Sequence, residues 1–334
     1  MKLQGKLKLS ETEEKLISDN SLPPFKITKH WVSLLNGSID DPLRMQAVPS
    51  ESEKIILPYE LSDPLGEKKY SPAERLVHRY RNRALVIITG KCALYCRHCF
   101  RRSINGDDYG EITYKQAEDI SVWLKNHKEV KELLLSGGDP LTLKEEKLKK
   151  LFQIFRSAGK HRVFRLATRM PVVDPERITD NMAAAAASVF PLWLVIQVNH
   201  PDEISSGMIR AVKKFQLKGI PVLNQSVLLK GINDNVEILE ELSNKLVAAG
   251  IKPYYLFLGD LAEGTSHFRT GMEKSIELFE ELRKRVSGIG MPVLAVDVPD
   301  GGGKVPIVKD RIAGKTKNGW QIETIDGETG FYPE

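Results

Sequence analysis

The chain has 334 residues, of which 41% are hydrophobic, and its 49 basic residues nearly balance its 44 acidic residues to give a net charge of +5. This length and apolar content suffice for one large buried core, and the modest charge does not require a nucleic-acid partner. No apolar run approaches the roughly 20 residues of a membrane helix, and Met1 to Ser10 lack the apolar core of a signal peptide, so a cytoplasmic protein is expected.

The first 80 residues are polar and show helical patterns in only two places. These are Glu11 to Asp19 and Lys26 to Asn36. Between Pro49 and Tyr70, prolines and glycines interrupt any regular period. We therefore predict an N-terminal helical cap and connector over residues 1–80.

Beyond Arg83, short β-branched runs alternate with amphipathic helix patterns, as is typical of repeated βα units. Capping boxes predict helices that begin at Thr113 and at Asp234. The predicted strands are Ala84 to Ile88, Glu132 to Leu135, Val163 to Ala167, Leu192 to Val198, Val222 to Leu228, Tyr254 to Leu258 and Val293 to Val296. Parallel strands joined by helices form a barrel or an open sheet. We predict this core over residues 81–306 and a short β-hairpin extension over residues 307–334.

All cysteines of the chain lie in one stretch, K-C-A-L-Y-C-R-H-C-F-R, as Cys92, Cys96 and Cys99. Clustered thiols without a disulfide framework suit a reducing compartment and the binding of zinc or an iron-sulfur cluster. A structural zinc site needs four ligands, and His98 could reach the same ion as its neighbours only by straining the loop. A cubane cluster with one open iron fits better. A zinc site and a redox-active cysteine cluster are the alternatives.

Other unusual residues follow predicted strands, where βα barrels build their sites. They are Gly137-Gly138-Asp139, Arg169, Asn199-His200, Gln225 within its strand, Asp260 and Asp297. A glycine pair lets a ligand approach the main chain closely. The plain alternative is a turn that Asp139 caps.

The stretch D-V-P-D-G-G-G-K ends at Lys304 and is rich in glycine. Such a loop can approach a flat or anionic ligand, and a lysine amine can form a Schiff base; an exposed turn is the alternative. Asp260 and Asp297 would share one mouth of the barrel, where two carboxylates repel unless a cation lies between them. Salt bridges to Arg269 or Arg283 would be the ordinary explanation for this pair.

The cysteine spacing, Cys-x3-Cys-x2-Cys with His98 before the third cysteine, resembles the signature of radical S-adenosylmethionine (SAM) enzymes. The fuller string C-R-H-C-x-R-R is similar to the lysine 2,3-aminomutase family, and the resemblance covers roughly Tyr70 to Pro306. It implies a partial (βα)6-type radical SAM barrel. It also implies an isomerase, dependent on pyridoxal 5'-phosphate (PLP), that moves the α-amino group of L-lysine to the β-carbon.

The resemblance further implies a ligand for each of these residues. Cys92, Cys96 and Cys99 would hold a 4Fe-4S cluster; Gly137, Gly138, Asp139, Gln225 and His98 would bind SAM; Lys304 would bind PLP covalently, with Arg79 and Arg83 at its phosphate; Arg101 would bind the substrate carboxylate; and Asp260 and Asp297 would bind its ε-ammonium. Asp300 stands where the family usually has glycine. Relatives specific for glutamate lose the acidic pair.

The expected partners are L-lysine and an electron donor such as flavodoxin or ferredoxin, with no nucleic acid or membrane, and a homo-oligomer is expected. In size the chain is similar to the short branch that supplies β-lysine for modification of elongation factor P. Free β-lysine as an osmolyte or catabolite is the competing role. The alternative functions are a radical SAM aminomutase for another amino acid, a PLP-independent radical SAM enzyme that modifies RNA or protein, and a non-catalytic iron-sulfur or zinc-binding module.

Overall fold

The computed structural model describes residues 7–19, 21–104, 106, 109–159 and 162–333. Of the stretch Met1 to Ser10, residues 1–6 lie outside the described residues. Among the described residues, no helix combines the length and the apolar character that a membrane span needs.

A nine-stranded sheet with sequential strand order forms the centre of the described part of the chain. Its strands are β1 (Leu76–Tyr80), β2 (Arg83–Thr89), β3 (Glu132–Gly137), β4 (Val163–Thr168), β5 (Leu192–Ile196), β6 (Val222–Leu228), β7 (Lys252–Leu258), β8 (Val293–Val298) and β9 (Gly303–Pro306). Strands β2 to β8 are parallel, and the outer strands β1 and β9 are antiparallel to their neighbours. This sheet curls into the half-barrel that the sequence predicts, and all seven predicted strands are present.

Three helices precede the sheet and the others alternate with its parallel strands. They are α1 (Glu11–Ile17), α2 (Lys29–Leu34), α3 (Pro42–Met45), α4 (Tyr114–Asn126), α5 (Glu145–Arg156), α6 (Met170–Val173), α7 (Asp180–Ala187), α8 (Ser206–Gln216), α9 (Val236–Ala248) and α10 (Met272–Arg285). In α5 the buried residues Leu148, Leu151, Phe152 and Phe155 follow the i, i+3, i+4, i+7 spacing of one helix face. Each such side chain stabilises the fold by roughly 1.5–3 kcal/mol, and the apolar stripe fixes which face of the helix meets the sheet.

The helix starts test the capping predictions. Thr113 accepts a hydrogen bond from the Gln116 amide in a complete capping box, as predicted. The predicted start at Asp234 is wrong by one residue, because Asn235 accepts hydrogen bonds from the first amides of α9. Asp234 instead accepts a hydrogen bond from Gly231 and pairs with Lys274. Its carboxylate is therefore used in the preceding turn.

The C-terminal extension is larger than the predicted hairpin. It is a three-stranded antiparallel sheet of β10 (Ile312–Thr316), β11 (Gly319–Glu323) and β12 (Thr329–Pro333). The two glycine-containing turns of this region stand on either side of β11, so each closes a separate hairpin. The boundary expected after residue 80 falls between the paired strands β1 and β2, and the division into domains stays a prediction.

Candidate active site

The parallel strands end at a cavity of about 370 Å³, a volume typical of small-molecule sites. Asn199 and His200 do not line it, whereas every residue to which the resemblance assigns a ligand does. These residues are Arg79, Arg83, Cys92, Cys96, His98, Cys99, Arg101, Gly137, Gly138, Asp139, Gln225, Asp260, Asp297 and Lys304. The geometry brings them together, while the ligand of each one stays a prediction.

The cysteine loop, residues 90–101, follows β2 and packs against the end of β3. The amide of Gly138 donates to the Thr89 carbonyl at 2.6 Å, and the amide of Asp139 donates to the Lys91 carbonyl at 2.7 Å. A Cβ on Gly138 would lie 2.4 Å from that Lys91 oxygen, and Gly137 has a φ of +124°. The glycine pair is therefore required for close packing of the cysteine loop on the sheet.

The three cysteines form no disulfide and lie half-buried in the cavity wall. Burial raises the pKa of Cys92 well above its usual value, and the negative charges of Asp139, Cys99 and Cys96 add to this effect. The cationic core of an iron-sulfur cluster would offset this negative charge and favour the thiolate form of the cysteines.

His98 lies inside this loop as a neutral ring. Its Nε2 is 3.3 Å from the amide nitrogens of both Gln197 and Asn199, so we assign Nε2 as the acceptor and place the proton on Nδ1. Burial lowers the pKa of His98 well below its usual value, and the cations Arg169 and Arg102 lower it further. Among the described residues Nδ1 has no hydrogen-bond partner. A donor is thus left for a ligand.

Asp139 caps the turn after β3, as the alternative prediction for this residue stated. Its carboxylate accepts hydrogen bonds from the Leu141 amide at 3.0 Å, the Thr168 hydroxyl at 2.6 Å and the Arg169 amide at 2.8 Å. Burial nevertheless raises its pKa. The side chain therefore joins the ends of β3 and β4, and its predicted contact with SAM is not needed to explain its position.

Arg101 enters the cavity already paired with a residue that the sequence analysis missed. Its Nε and Nη2 donate to Glu67 at 3.0 and 2.5 Å, and its Nη1 donates to the Ser136 hydroxyl at 3.1 Å. A guanidinium presents five donors, enough for a second carboxylate along the Nη1 and Nη2 edge. Glu67 lies in the irregular connector, where no periodic pattern could point to it.

That connector crosses the mouth of the barrel over residues 57–70. The amide of Leu61 donates to the Leu261 carbonyl at 2.8 Å, next to the Asp260 loop. The hydroxyl of Tyr70 donates to the Gly301 carbonyl at 3.3 Å. The connector thus contacts the loop after β7 and the glycine-rich loop, and it brings Glu67 to the cysteine loop.

Lys304 lies on β9, directly opposite Asp297 on β8. Its Nζ is 2.6 Å from Asp297 Oδ2 and 3.6 Å from the centre of the Phe257 ring. The loop itself is largely exposed at Val298, Pro299, Asp300 and Gly302, whereas Lys304 is partly buried and points into the cavity. Asp300, which replaces the family's glycine, has a φ of +51°, a conformation that aspartate tolerates better than most residues.

The predicted phosphate-binding arginines stand beside the glycine-rich loop. Arg79 donates to the Gly301 carbonyl at 2.5 Å, and a Cβ on Gly303 would lie 2.5 Å from the same guanidinium. Arg83 stacks 3.8 Å from the centre of the Tyr80 ring, whose hydroxyl accepts the Lys304 amide at 2.9 Å. The loop backbone, the two arginines and the lysine therefore form one continuous wall.

Asp260 has the most informative electrostatics of the cavity. Burial, reinforced by the negative charge of Asp297, raises its pKa from 3.8 to about 7, although Lys304 and Arg101 lower it. The positive charge of Lys304 and Arg101 is therefore not enough to keep both Asp260 and Asp297 fully ionised. The site is poised to accept one more cation.

The alternative partners of this acidic pair are engaged elsewhere. Arg269 pairs with Glu60 at 2.6 Å, and Arg283 lies 3.5 Å from Glu280 on its own helix. Neither forms an ion pair with the two aspartates, so the predicted salt bridges to Arg269 or Arg283 are wrong. The ion pair that Asp297 forms is with Lys304.

Comparison with known proteins first gives the class. Residues 86–242 match the model of the radical SAM superfamily, and the fold is similar to a radical SAM methyltransferase from Sphaerobacter thermophilus, with a TM-score of 0.50 and 16% identity over 66% of this chain and 68% of that chain. The molecule is a radical SAM enzyme, with a 4Fe-4S cluster and SAM as the cofactors of that class.

Longer matches then give the family. The chain is 38% identical over 309 residues to an L-lysine 2,3-aminomutase from Acetoanaerobium sticklandii, covering 92% of this chain and 75% of the relative. A further L-lysine 2,3-aminomutase, from Clostridium subterminale, is 37% identical, with 92% and 74% covered. A glutamate 2,3-aminomutase from Clostridioides difficile is 32% identical, with 90% and 72% covered. This chain belongs to the lysine 2,3-aminomutase family of radical SAM, PLP-dependent enzymes, which are isomerases.

Proposed function

We propose that this protein is a lysine 2,3-aminomutase that moves the α-amino group of L-lysine to the β-carbon. The observation that carries the proposal is the pair of aspartates, Asp260 and Asp297, in the same cavity as the three cysteines. The raised pKa of Asp260, about 7, supports a cationic ligand there. The ε-ammonium of lysine is such a ligand.

The same pair opposes glutamate as the substrate. A glutamate side chain would bring a third carboxylate next to two that already repel each other, and buried like charges are strongly unfavourable. Arg101 cannot offset this, because it already pairs with Glu67 and is proposed to bind the α-carboxylate. Charge alone therefore favours lysine over glutamate at this site.

PLP, which we place at Lys304 with Arg79 and Arg83 near its phosphate, supplies a conjugated ring that can delocalise an unpaired electron. The primary amine of Lys304 must lose its proton before it can attack an aldehyde. In this structure Lys304 Nζ is ion-paired with Asp297 Oδ2, so that proton can pass through this carboxylate to solvent, which leaves Asp297 ionised. Once the lysine amine is committed to PLP, Asp297 is free for the substrate ammonium.

The cysteine loop and its neighbours form the proposed site for the cluster and SAM, which together supply the radical that removes a hydrogen atom from the substrate. We assign the ligation of the cluster to Cys92, Cys96 and Cys99. His98 would donate to SAM through its unpaired Nδ1, and Gln225 lies in the same wall. Leu65, Glu67 and Tyr70 of the connector line the same cavity.

The carbonyl oxygens of Gly137 and Gly138 are proposed acceptors for the amino group of SAM. The amides of Gly138 and Asp139 already donate to the cysteine loop, and an amino group requires acceptors. A one-electron donor of the flavodoxin or ferredoxin type belongs to the proposal, since the cluster would need an external source of electrons. The homo-oligomeric state, the cytoplasmic location and the use made of β-lysine stay predictions.

The test is an anaerobic assay of the reconstituted protein. It is loaded with iron, sulfide and PLP and incubated with L-lysine, SAM and dithionite, and β-lysine is measured by mass spectrometry. We expect β-lysine from the natural sequence. Lys304→Ala should make none while it retains reductive cleavage of SAM, whereas a PLP-independent enzyme would not respond to this change. Absence of β-lysine from protein that holds both cluster and PLP would refute the proposal.

A further inference from the structure

We propose that Arg169 sets the reduction potential of the iron-sulfur cluster by donating a charged hydrogen bond to one of its cysteine ligands. The inference rests on the proposed ligation of the cluster by Cys92, Cys96 and Cys99. Arg169 contacts the proposed ligand Cys96 and not the cluster itself, so it acts as a positioning residue.

Arg169 comes directly after β4, at the same end of the sheet as the cysteine loop. Its Nη1 is 2.8 Å from the sulfur of Cys96, shorter than most contacts to sulfur and within reach of a strong charge-assisted bond. The residue is 7% exposed. Because water is excluded, the charge acts on this sulfur with little screening.

Buried neighbours fix the direction of the guanidinium. Its Nη2 donates to Gln46 at 2.6 Å and to Glu203 at 2.9 Å. Its carbon lies 4.8 Å from the centre of the Trp31 ring, and its backbone amide donates to Asp139. These contacts leave Nη1 pointing at the cysteine loop.

The anchoring partners are themselves held in place. Gln46 donates to Glu203 at 2.9 Å, and Glu203 also accepts the backbone amides of Asn199 at 3.1 Å and His200 at 3.0 Å. Gln46 and Glu203 are both 0% exposed. Arg169 is therefore oriented by a closed network, as a group must be if it is to act on the cluster by electrostatics.

The charge added on reduction determines whether Arg169 raises or lowers the reduction potential of the cluster. One electron from an external donor takes the cluster from its 2+ to its 1+ state, so the added charge is negative and no bond is broken. Hydrogen bonds to the sulfurs and nearby positive charge stabilise the reduced state and raise the potential. Glu203 offsets part of the charge, but it is bound to the other guanidinium nitrogen and leaves the hydrogen bond to Cys96 in place. Loss of Arg169 should lower the potential.

Two variants test this inference. Arg169→Lys keeps a positive charge but loses the branched guanidinium, which contacts Cys96 through Nη1 and Gln46 and Glu203 through Nη2. Arg169→Met combined with Glu203→Gln removes both charges, so that no buried carboxylate is left unpaired. Arg162→Lys is the matched control, because Arg162 is also buried but precedes β4 and donates only to backbone carbonyls at the opposite end of the strand.

The measurement is a redox titration of the reconstituted cluster with dithionite and mediators, followed by electron paramagnetic resonance. It is made without lysine and without PLP. At a fixed potential we expect at least a tenfold lower ratio of reduced to oxidised cluster in the double variant, which is a 59 mV fall for a one-electron couple. The reduction potential of Arg169→Lys should lie between those of the double variant and the natural sequence, and the potential of the control should equal that of the natural sequence.

The possible outcomes separate tuning from simple support of the fold. Unchanged potentials in variants that carry a full complement of iron would overturn the inference. Loss of the cluster from both variants would also overturn it, since Arg169 would then be needed for assembly. Because the titration uses neither substrate nor PLP, a failed aminomutase assay does not affect this result.

Discussion

Replacement of Asp260 by asparagine should stabilise the ligand-free protein, and the gain should grow with pH. The pKa of Asp260 is raised from 3.8 to about 7, first by burial and then by Asp297. Because the folded-state pKa lies above the unfolded value, the protonated carboxyl supports folding fully below pH 3.8. That support is lost as the pH rises towards 7 and stays lost above it.

The size of the effect follows from the shift. A shift of about three units corresponds to about 4 kcal/mol once the carboxyl is ionised in both states. Between pH 5 and pH 8 the difference between the natural sequence and Asp260→Asn should widen by about 2–3 kcal/mol. Bound lysine should narrow this difference at pH 8, because its ammonium neutralises the ionised carboxylate.

Thermal unfolding of both proteins without cofactors measures the effect at each pH. The difference in melting temperature between the two proteins should grow by roughly 5 °C from pH 5 to pH 8, at about 2 °C for each kcal/mol in a chain of this size. Asp326→Asn, in the exposed turn between β11 and β12, is the control for the chemical change itself. A difference in melting temperature between Asp260→Asn and the natural sequence that is the same at pH 5 and pH 8 would refute the reasoning.

The remaining predictions concern the other walls of the cavity. Arg101→Gln should raise the KM for lysine by roughly tenfold to a hundredfold, the worth of a charged hydrogen bond, and steady-state assays with an intact cluster check this. Gly138→Ala should reduce iron and sulfide content, because its Cβ would lie 2.4 Å from a backbone oxygen of the cysteine loop; equal metal content would contradict that packing argument. Gly303→Ala should reduce bound PLP, because its Cβ would lie 2.5 Å from the Arg79 guanidinium and its φ is +104°, and absorbance of the bound cofactor reports it. Gly271→Ala, with no atom within 4 Å of the added Cβ, should change neither metal nor PLP.

Local patterns predicted the parts of the fold that local chemistry determines. The β-branched runs predicted the seven parallel strands, and the capping box at Thr113 predicted the start of α4. Carboxyl ends of parallel strands meet at one edge, so Cys92, Asp260 and Lys304 could be expected in one site although they are far apart in the sequence.

Pairings between distant segments could not be read from such patterns. Glu67 lies in an aperiodic connector, and only the folded chain brings it to Arg101. The contact of Arg169 with Cys96 depends on how Gln46 and Glu203 orient the guanidinium. The error at Asp234 had a local cause, since two adjacent residues could each cap the helix and the preceding turn used the first. Sequence therefore located the site but not its internal ion pairs.

A competition between two amino acids tests the central claim most directly. The reconstituted protein, with SAM and dithionite, is given equal concentrations of L-lysine and L-glutamate, and both β-amino acids are measured by mass spectrometry. The acidic pair of Asp260 and Asp297 predicts β-lysine as the dominant product, with selectivity reduced in Asp260→Asn and Asp297→Asn. β-Glutamate as the main product of the natural sequence, or selectivity that both variants leave unchanged, would contradict the account.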